Sequence, residues 1–192
     1  MKHITLAFAF ALISVSLVDS SFAAPRSVSS NSLGLATWQW NETLTVTDGG
    51  TQGKDAANLN ALVLQAQTET YYHRWGWSMS AFAGSGRATG GGKNFANYQA
   101  SKVPFTVLGI APRGFYRLTG RINMGFSAIA YTRNMNWPTD TATQEVNSGL
   151  KMNVTGMADL TLRLSRNIEF YQGVGPLAEK STIWRLGLNY RF

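Results

Sequence analysis

Two carboxylates in alternating segments are the first candidates for chemistry. Asp159 and Glu169 stand near arginines that occupy the polar positions of the same kind of segment, among them Arg163. A pair of carboxylates can act as general acid and general base. The arginines favour a different interpretation, because charges withdrawn from water must be paired. We expect ion pairs here.

Other catalytic chemistry lacks the residues it needs. The sequence has no cysteine and only two histidines, His3 and His73, which excludes thiolate metal sites and disulfides and argues against a histidine metal site. A serine nucleophile needs an adjacent base, and only His73 could supply an imidazole outside the leader described below. The glycine-rich run at 84–93 lacks the spacing of a phosphate-binding loop, since Asn94 follows Lys93. We therefore expect no enzyme, no cofactor and no metal.

The composition indicates a folded, basic and exported chain. Its 192 residues are 44% hydrophobic and 14% charged, with a net charge of +7, which suits one or two domains and a preference for anionic partners such as lipopolysaccharide. A basic start, the apolar run 4–18 and small residues before Pro25 are typical of a signal peptide, 1–23. We expect a short segment at 24–32 and a single domain at 33–192.

The rest of the chain alternates with a period of two residues, which is typical of strands. The clearest runs are 116–130, 150–164 and 184–192, where apolar even positions alternate with polar odd positions. Segments at 33–47 and 102–111 are harder to interpret. Trp38 and Trp40 share a face with Glu42, so either a bulge resets the alternation or Glu42 lies near an interface. The segment at 102–111 is apolar on both faces.

Eight strands are predicted in an up-and-down order, at 33–47, 58–71, 75–86, 102–111, 115–132, 148–164, 168–174 and 181–192. Tight turns at 72–74, 112–114 and 165–167 alternate with longer connections at 48–57, 87–101, 133–147 and 175–180. Clean apolar faces of ~13–15 residues suit strands that cross a membrane, which need about 9–11 residues. Aromatic residues near segment ends suit interfacial girdles: Trp38, Trp40, Tyr72, Trp75, Trp77, Tyr116, Tyr131, Trp137, Trp184, Tyr190 and Phe192. These features favour a transmembrane β-barrel over a soluble one, with aromatics on the lipid side and therefore no nucleic-acid partner.

The polar face of such a barrel points inward. An interior of eight strands is just filled by side chains, so we expect a plugged lumen with a network of charges: Glu69, Arg117, Arg121, Lys151, Asp159, Arg163, Glu169 and Arg185. Cations in or beside the outer connections could contact lipopolysaccharide phosphates: Lys54, Arg87, Lys93 and Lys102. Ordinary solvated loop charges are the alternative for these four.

The C-terminal strand carries a family resemblance. Trp184, Leu186, Leu188, Tyr190 and Phe192 alternate with polar residues and end the chain on an aromatic ring. This resembles the C-terminal signature of bacterial outer-membrane barrels, which their assembly machinery recognises. Together with the predicted leader and eight strands, the chain resembles small barrels of the OmpA/OmpX type. The resemblance implies an outer-membrane location for 33–192, a periplasmic N-terminal segment at 24–32, tight turns and C-terminus in the periplasm, and longer loops outside.

Two functions remain open, with two lower alternatives. The first is a structural or surface-interaction protein that presents its loops to an unknown extracellular partner. The second is a narrow channel in which Arg117, Arg121, Arg163 and Arg185 favour anions. An adhesin or a barrel enzyme that modifies lipid A is a lower alternative, and the enzyme is disfavoured because His73 falls in a predicted periplasmic turn.

Overall fold

The structure, a computed structural model, describes residues 27–95, 101–177 and 181–192. The predicted signal peptide lies outside these residues. Nine strands follow one another: β1 (Val28–Asp48), β2 (Thr51–Tyr72), β3 (Trp75–Gly91), β4 (Lys102–Arg117), β5 (Ile122–Met135), β6 (Glu145–Val146), β7 (Leu150–Arg163), β8 (Ile168–Pro176) and β9 (Thr182–Arg191). The first strand thus begins five residues earlier than the predicted segment.

Eight of these strands close into an antiparallel ring. Each pairs with the next along the chain, β5 pairs with β7, and β9 pairs with β1. Closure leaves no free sheet edge over the paired lengths. The two-residue β6 adds to the far end of β1, where Val46 pairs with Val146. The described residues include no helix of the length and hydropathy that a membrane crossing requires.

The barrel has two distinct ends. We call the one that carries Ser27, Phe192 and the turns around residues 73, 120 and 166 the termini end. The opposite one, which carries the Gly49-Gly50 turn, is the loop end. Residues on each strand alternate between the outside and the lumen.

A belt of exposed apolar side chains surrounds the outside of the barrel. Its larger members are Leu33, Leu35, Leu62, Leu64, Trp75, Trp77, Met79, Leu108, Ile110, Tyr116, Met124, Phe126, Leu150, Met152, Val154, Val174, Trp184, Leu186, Leu188 and Tyr190. A belt of this size would be unstable in water and is the surface that acyl chains solvate. The outward apolar face predicted for 116–130, 150–164 and 184–192 is confirmed by this belt.

The first strand corrects the prediction for Trp38 and Trp40. Both are fully buried in the lumen, together with Glu42, and are not part of an interfacial girdle. The pairing of β1 with β2 runs without a break from Val28 to Asp48, so no bulge resets the alternation. The environment changes instead: Leu33 and Leu35 face outward beside lipid, whereas nearer the loop end the outside is polar and the apolar residues turn inward. Tyr131 and Trp137, also expected near the interface, are buried too.

The turn between β4 and β5 was predicted at the wrong place. Residues 112–114 continue β4, and the chain turns at 118–121. Pro112 faces outward, and the ladder to β5 is interrupted at Ala111 and Pro112, since proline has no N–H to donate. The register on either side of the gap is the same. Within 102–111, Val103, Phe105 and Val107 face the lumen, whereas Leu108 and Ile110 face outward.

The predicted long connections at the loop end are shorter than expected. Strands β1 and β2 continue to a two-residue turn, Gly49-Gly50, in which both glycines have positive φ (55° and 82°). Such a turn matches the twist of the two strands. The connection at 133–147 begins after Met135 and contains β6. Much of the loop-end surface is therefore strand.

Candidate functional site

Near the termini end, a buried ion pair joins β4 to β7. Arg113 contacts Asp159, with 2.6 Å between Nη2 and Oδ1, and its Nε donates to the same oxygen. The second carboxylate oxygen accepts from Ser127 at 2.7 Å, and Arg113 also donates to Thr161 at 3.1 Å. Each charge thus has several hydrogen-bond partners, which buried ions need to be tolerated. Arg113, predicted to lie in a turn, is a lumen residue.

A second charged cluster lies at the termini end itself. Glu169 accepts from Arg163 at 3.0 Å and from Arg191 at 3.4 Å. Arg191 also approaches Glu69, at 4.0 Å. One carboxylate is thus shared by two guanidinium groups, and the cluster joins β2, β7, β8 and β9.

Arg185 occupies the middle of the lumen among aromatic rings. Its guanidinium carbon lies 4.8 Å from the centre of the Tyr171 ring and 5.8 Å from that of Trp38. The residue is 5% exposed, and its Nε has no hydrogen-bond partner among the described residues. The hydroxyl of Tyr171 donates to Gln65 at 3.0 Å, and Gln65 donates to Asn189 at 2.8 Å. These contacts form the boundary of the polar termini-end part of the lumen, next to Trp38.

Above this level, toward the loop end, buried apolar side chains form a layer in the lumen. Seven of the eight ring strands contribute a side chain that is at most 2% exposed: Trp38, Val63, Phe82, Val107, Ile129, Met157 and Ile183. The Trp38 ring lies 4.5 Å from Phe82 and 6.2 Å from Tyr131 on the opposite wall. An apolar layer thus interrupts the lumen beyond its polar termini-end part, and the expectation of a lumen that is polar throughout is wrong.

A third ion pair closes the loop end of the lumen. Arg133 on β5 reaches Glu42 on β1, with 2.6 Å between Nη2 and Oε2, and its Nε donates to the same oxygen at 2.8 Å. Its Nη1 donates to the carbonyl oxygens of Ser148 and Gly149. The pair thus fixes the connection before β7 to both walls. Sequence reasoning missed Arg133 because it was placed in a loop, although Glu42 on an apolar face was a signal.

The structure separates the predicted lumen charges into groups. Glu69, Asp159, Glu169 and Arg185 are buried in the lumen, and Arg163 is part of the termini-end cluster. Arg117 packs on the ring of Tyr71 at 4.8 Å. Arg121 is exposed in the β4–β5 turn, and Lys151 borders a loop-end cavity beside Asn153. The predicted residues thus do not form one continuous network.

The other predicted residues lie on the outer surface. Trp184, Leu186, Leu188, Tyr190 and Phe192 all face outward, with exposures of 45–66%. The cations Lys54, Arg87 and Lys102 also point outward, on β2, β3 and β4, and Lys93 lies in the turn after β3. His73 is exposed in the β2–β3 turn. The described residues hold no group of three or more side chains suited to binding a metal ion.

The fold has counterparts among solved structures. No protein-family model matches the chain, and no curated protein matches it. Among solved structures, Ail, the attachment invasion locus protein of Yersinia pestis, crystallised with the heparin analogue sucrose octasulfate, is similar over 88% of this chain and 100% of that one, with 15% identity and a TM-score of 0.50. This chain has the outer-membrane β-barrel fold. The fold expected from the OmpA/OmpX resemblance is confirmed.

Two further barrels, both from Pseudomonas aeruginosa, are less similar. The similarity to the N-terminal barrel domain of OprF extends over 86% of this chain and 100% of that one, with 11% identity and a TM-score of 0.48. The similarity to OprG extends over 91% of this chain and 99% of that one, with 11% identity and a TM-score of 0.46. The outer-membrane location accords with the fold and with the apolar belt.

Proposed function

We propose that this barrel is a closed-lumen protein of the outer membrane that works through its outer surface. The observation that carries the proposal is the apolar layer, since Trp38, Phe82 and Tyr131 join opposite walls in one chain of ring contacts. A dry, apolar constriction opposes the passage of water and ions. The Arg133–Glu42 pair adds a second barrier nearer the loop end.

The same layer argues against the anion channel. Of the arginines that would select anions, Arg121 is exposed in a turn and Arg163 is paired with Glu169. Arg185 lies directly against Trp38, at the floor of the apolar layer. An anion that entered from the termini end would therefore stop beneath a layer whose side chains carry no charge.

The outer surface nearest the loop end supplies a binding surface. Beyond the belt, strands β1 to β4 continue outward-facing polar side chains, which we call the outer polar face: Gln39, Asn41, Thr43, Thr45, Lys54, Asn58, Asn60, Ser85, Arg87, Lys102 and Thr106. Adjacent strands bring Arg87 beside Asn60 and Lys102 beside Thr89. These eleven residues include three cations and no carboxylate, and the exposed Glu145 of β6 lies at their edge, beside Thr47 of β1.

A cationic, hydroxyl- and amide-rich face just beyond an acyl-chain belt suits the phosphates and sugars of lipopolysaccharide. Guanidinium and ammonium groups bind phosphate through charge-assisted hydrogen bonds. Because the strands are long and paired, the face is held rigidly and loses little entropy on binding. We therefore assign the outer polar face a role in anchoring lipopolysaccharide.

The test compares two charge-matched variants. The barrel is refolded in non-ionic detergent, and its affinity for purified lipopolysaccharide is measured by titration at fixed ionic strength. Arg87→Gln/Lys102→Gln should weaken binding about tenfold or more, since two charge-assisted contacts are lost. Arg74→Gln/Lys151→Gln, which removes the same charge away from the outer polar face, should change it less than twofold. Equal weakening in both variants, or none in the first, would contradict the proposal.

A further inference from the structure

The termini end of the lumen opens into a basic cavity that neither the apolar belt nor the outer polar face accounts for. The cavity, which we call the arginine mouth, has a volume of about 510 Å³. Its lining includes Tyr71, Arg121, Arg163, Ser165, Arg166 and Arg191. These residues come from β2, β7, β9 and two turns, so the cavity spans the opening of the barrel.

The charges of the mouth do not balance. Two carboxylates lie nearby, Glu69 and Glu169, and both are buried. They are engaged with Arg163 and Arg191. No ion pair among the described residues involves Arg121 or Arg166, which are both exposed. Among the side chains, the four guanidinium groups of the lining outnumber the two carboxylates by two positive charges around one concave site.

The paired arginines are held in position for a ligand. Glu169 fixes Arg163 through two hydrogen bonds, at 3.0 and 3.1 Å, and the ring of Tyr71 lies 5.4 Å from the guanidinium carbon of Arg191. Guanidinium groups retain free N–H donors when a single carboxylate oxygen is shared. Preorganised donors of this kind lower the entropy cost of binding.

We propose that the arginine mouth binds a multivalent oxyanion, carrying phosphate or carboxylate groups, from the aqueous compartment at the termini end. The ligand enters along the barrel axis, because Tyr71, Arg163 and Arg191 occupy inward-facing positions of their strands. The site is a dead end, since the apolar layer lies above it.

The geometry also sets the ligand's size and valence. A volume near 510 Å³ admits a molecule larger than a single inorganic phosphate. Arg121 and Arg166, in the turns that follow β4 and β7, offer two separate attachment points beside the fixed pair. Guanidinium forks bind phosphate and carboxylate oxygens in bidentate fashion, so a ligand with two or more such groups is favoured over a monovalent ion.

The test titrates the barrel, refolded in non-ionic detergent, with pyrophosphate by calorimetry. Wild-type protein should bind with one-to-one stoichiometry, and inorganic phosphate should bind at least tenfold more weakly. Arg121→Gln/Arg166→Gln should weaken pyrophosphate binding tenfold or more, because two guanidinium contacts to the ligand are lost. The double variant should still fold, because both substitutions leave the buried ion pairs intact. Arg74→Gln/Lys151→Gln removes the same charge outside the mouth and should change binding less than twofold.

The outcomes are distinguishable. Absence of saturable binding to wild-type protein overturns the proposal, as does equal weakening in the two double variants, which would show a general charge effect. Citrate in place of pyrophosphate distinguishes the ligand's groups: tighter binding of citrate supports a carboxylate-bearing ligand, and tighter binding of pyrophosphate a phosphorylated one. Displacement of pyrophosphate by phosphatidylglycerol in nanodiscs would overturn entry along the axis and assign the arginines to lipid headgroups.

Discussion

Arg133 and Glu42 lie on opposite walls of the barrel and meet across it, with 2.6 Å between Nη2 and Oε2. Strands β5 and β1 are four positions apart around the ring in either direction. Both side chains are almost fully buried, and Trp40 also donates to Glu42, at 3.4 Å. The pair ties the connection before β7 to the lumen through the carbonyl oxygens of Ser148 and Gly149.

Breaking this pair on one side should destabilise the barrel strongly. Arg133→Met leaves the Glu42 carboxylate buried without its cation, which costs about 3–5 kcal/mol of unfolding free energy. The double variant Glu42→Leu/Arg133→Met should recover at least half of that loss, because no uncompensated charge remains. Urea unfolding in lipid vesicles, followed by tryptophan fluorescence, measures both. A double variant no more stable than Arg133→Met would contradict the account.

Close backbone packing between β2 and β3 predicts a large effect at Gly86. A methyl group there would overlap the carbonyl oxygen of Asn60 on the paired strand, whereas at Gly114 it would meet nothing within 4 Å. Gly86→Ala should therefore lower the yield of folded, heat-modifiable barrel on a gel or reduce its unfolding free energy by about 1–3 kcal/mol. Gly114→Ala should refold like wild type. If the two variants behave alike, the packing described here is wrong.

The belt predicts where a charge is tolerated on the outside. Phe126 is 62% exposed in the middle of the belt, and Phe126→Arg should cost about 2–4 kcal/mol of unfolding free energy in vesicles. Asn58→Arg, on the outer polar face, should cost less than about 1 kcal/mol, because it remains in the polar region. Equal costs at the two positions would show that the belt does not face lipid.

The architecture could be predicted because lipid imposes a simple rule. Where a strand crosses the membrane, the outward residue must be apolar, and runs such as 150–164 display that alternation directly. The strands predicted at 75–86, 148–164, 168–174 and 181–192 lie close to the observed ones for this reason. The predicted and observed strand ends differ most at the loop end. The outside of the barrel is in water there, so an outward residue need not be apolar and alternation no longer marks the strand.

The errors arise where that rule stops applying. Trp38 and Trp40 are apolar because they fill the lumen beside a polar exterior, and alternation alone does not distinguish an inward from an outward apolar face. The turn within 116–130 could not be recognised from alternation. It has four residues, 118–121, so the outward apolar residues fall at even positions both before and after it. Pro112 and Gly114 are residue types typical of turns, but both lie within β4. Arg113 and Arg133 were therefore missed as lumen residues.

The account depends most on a sealed lumen, and current through single molecules in planar bilayers tests this directly. Wild-type barrel should give no steady conductance, whereas Trp38→Ala/Phe82→Ala, which thins the apolar layer, should give discrete openings. The result that would contradict the account is a steady wild-type current whose ion selectivity shifts in Arg121→Glu, because that arginine would then line a conducting path.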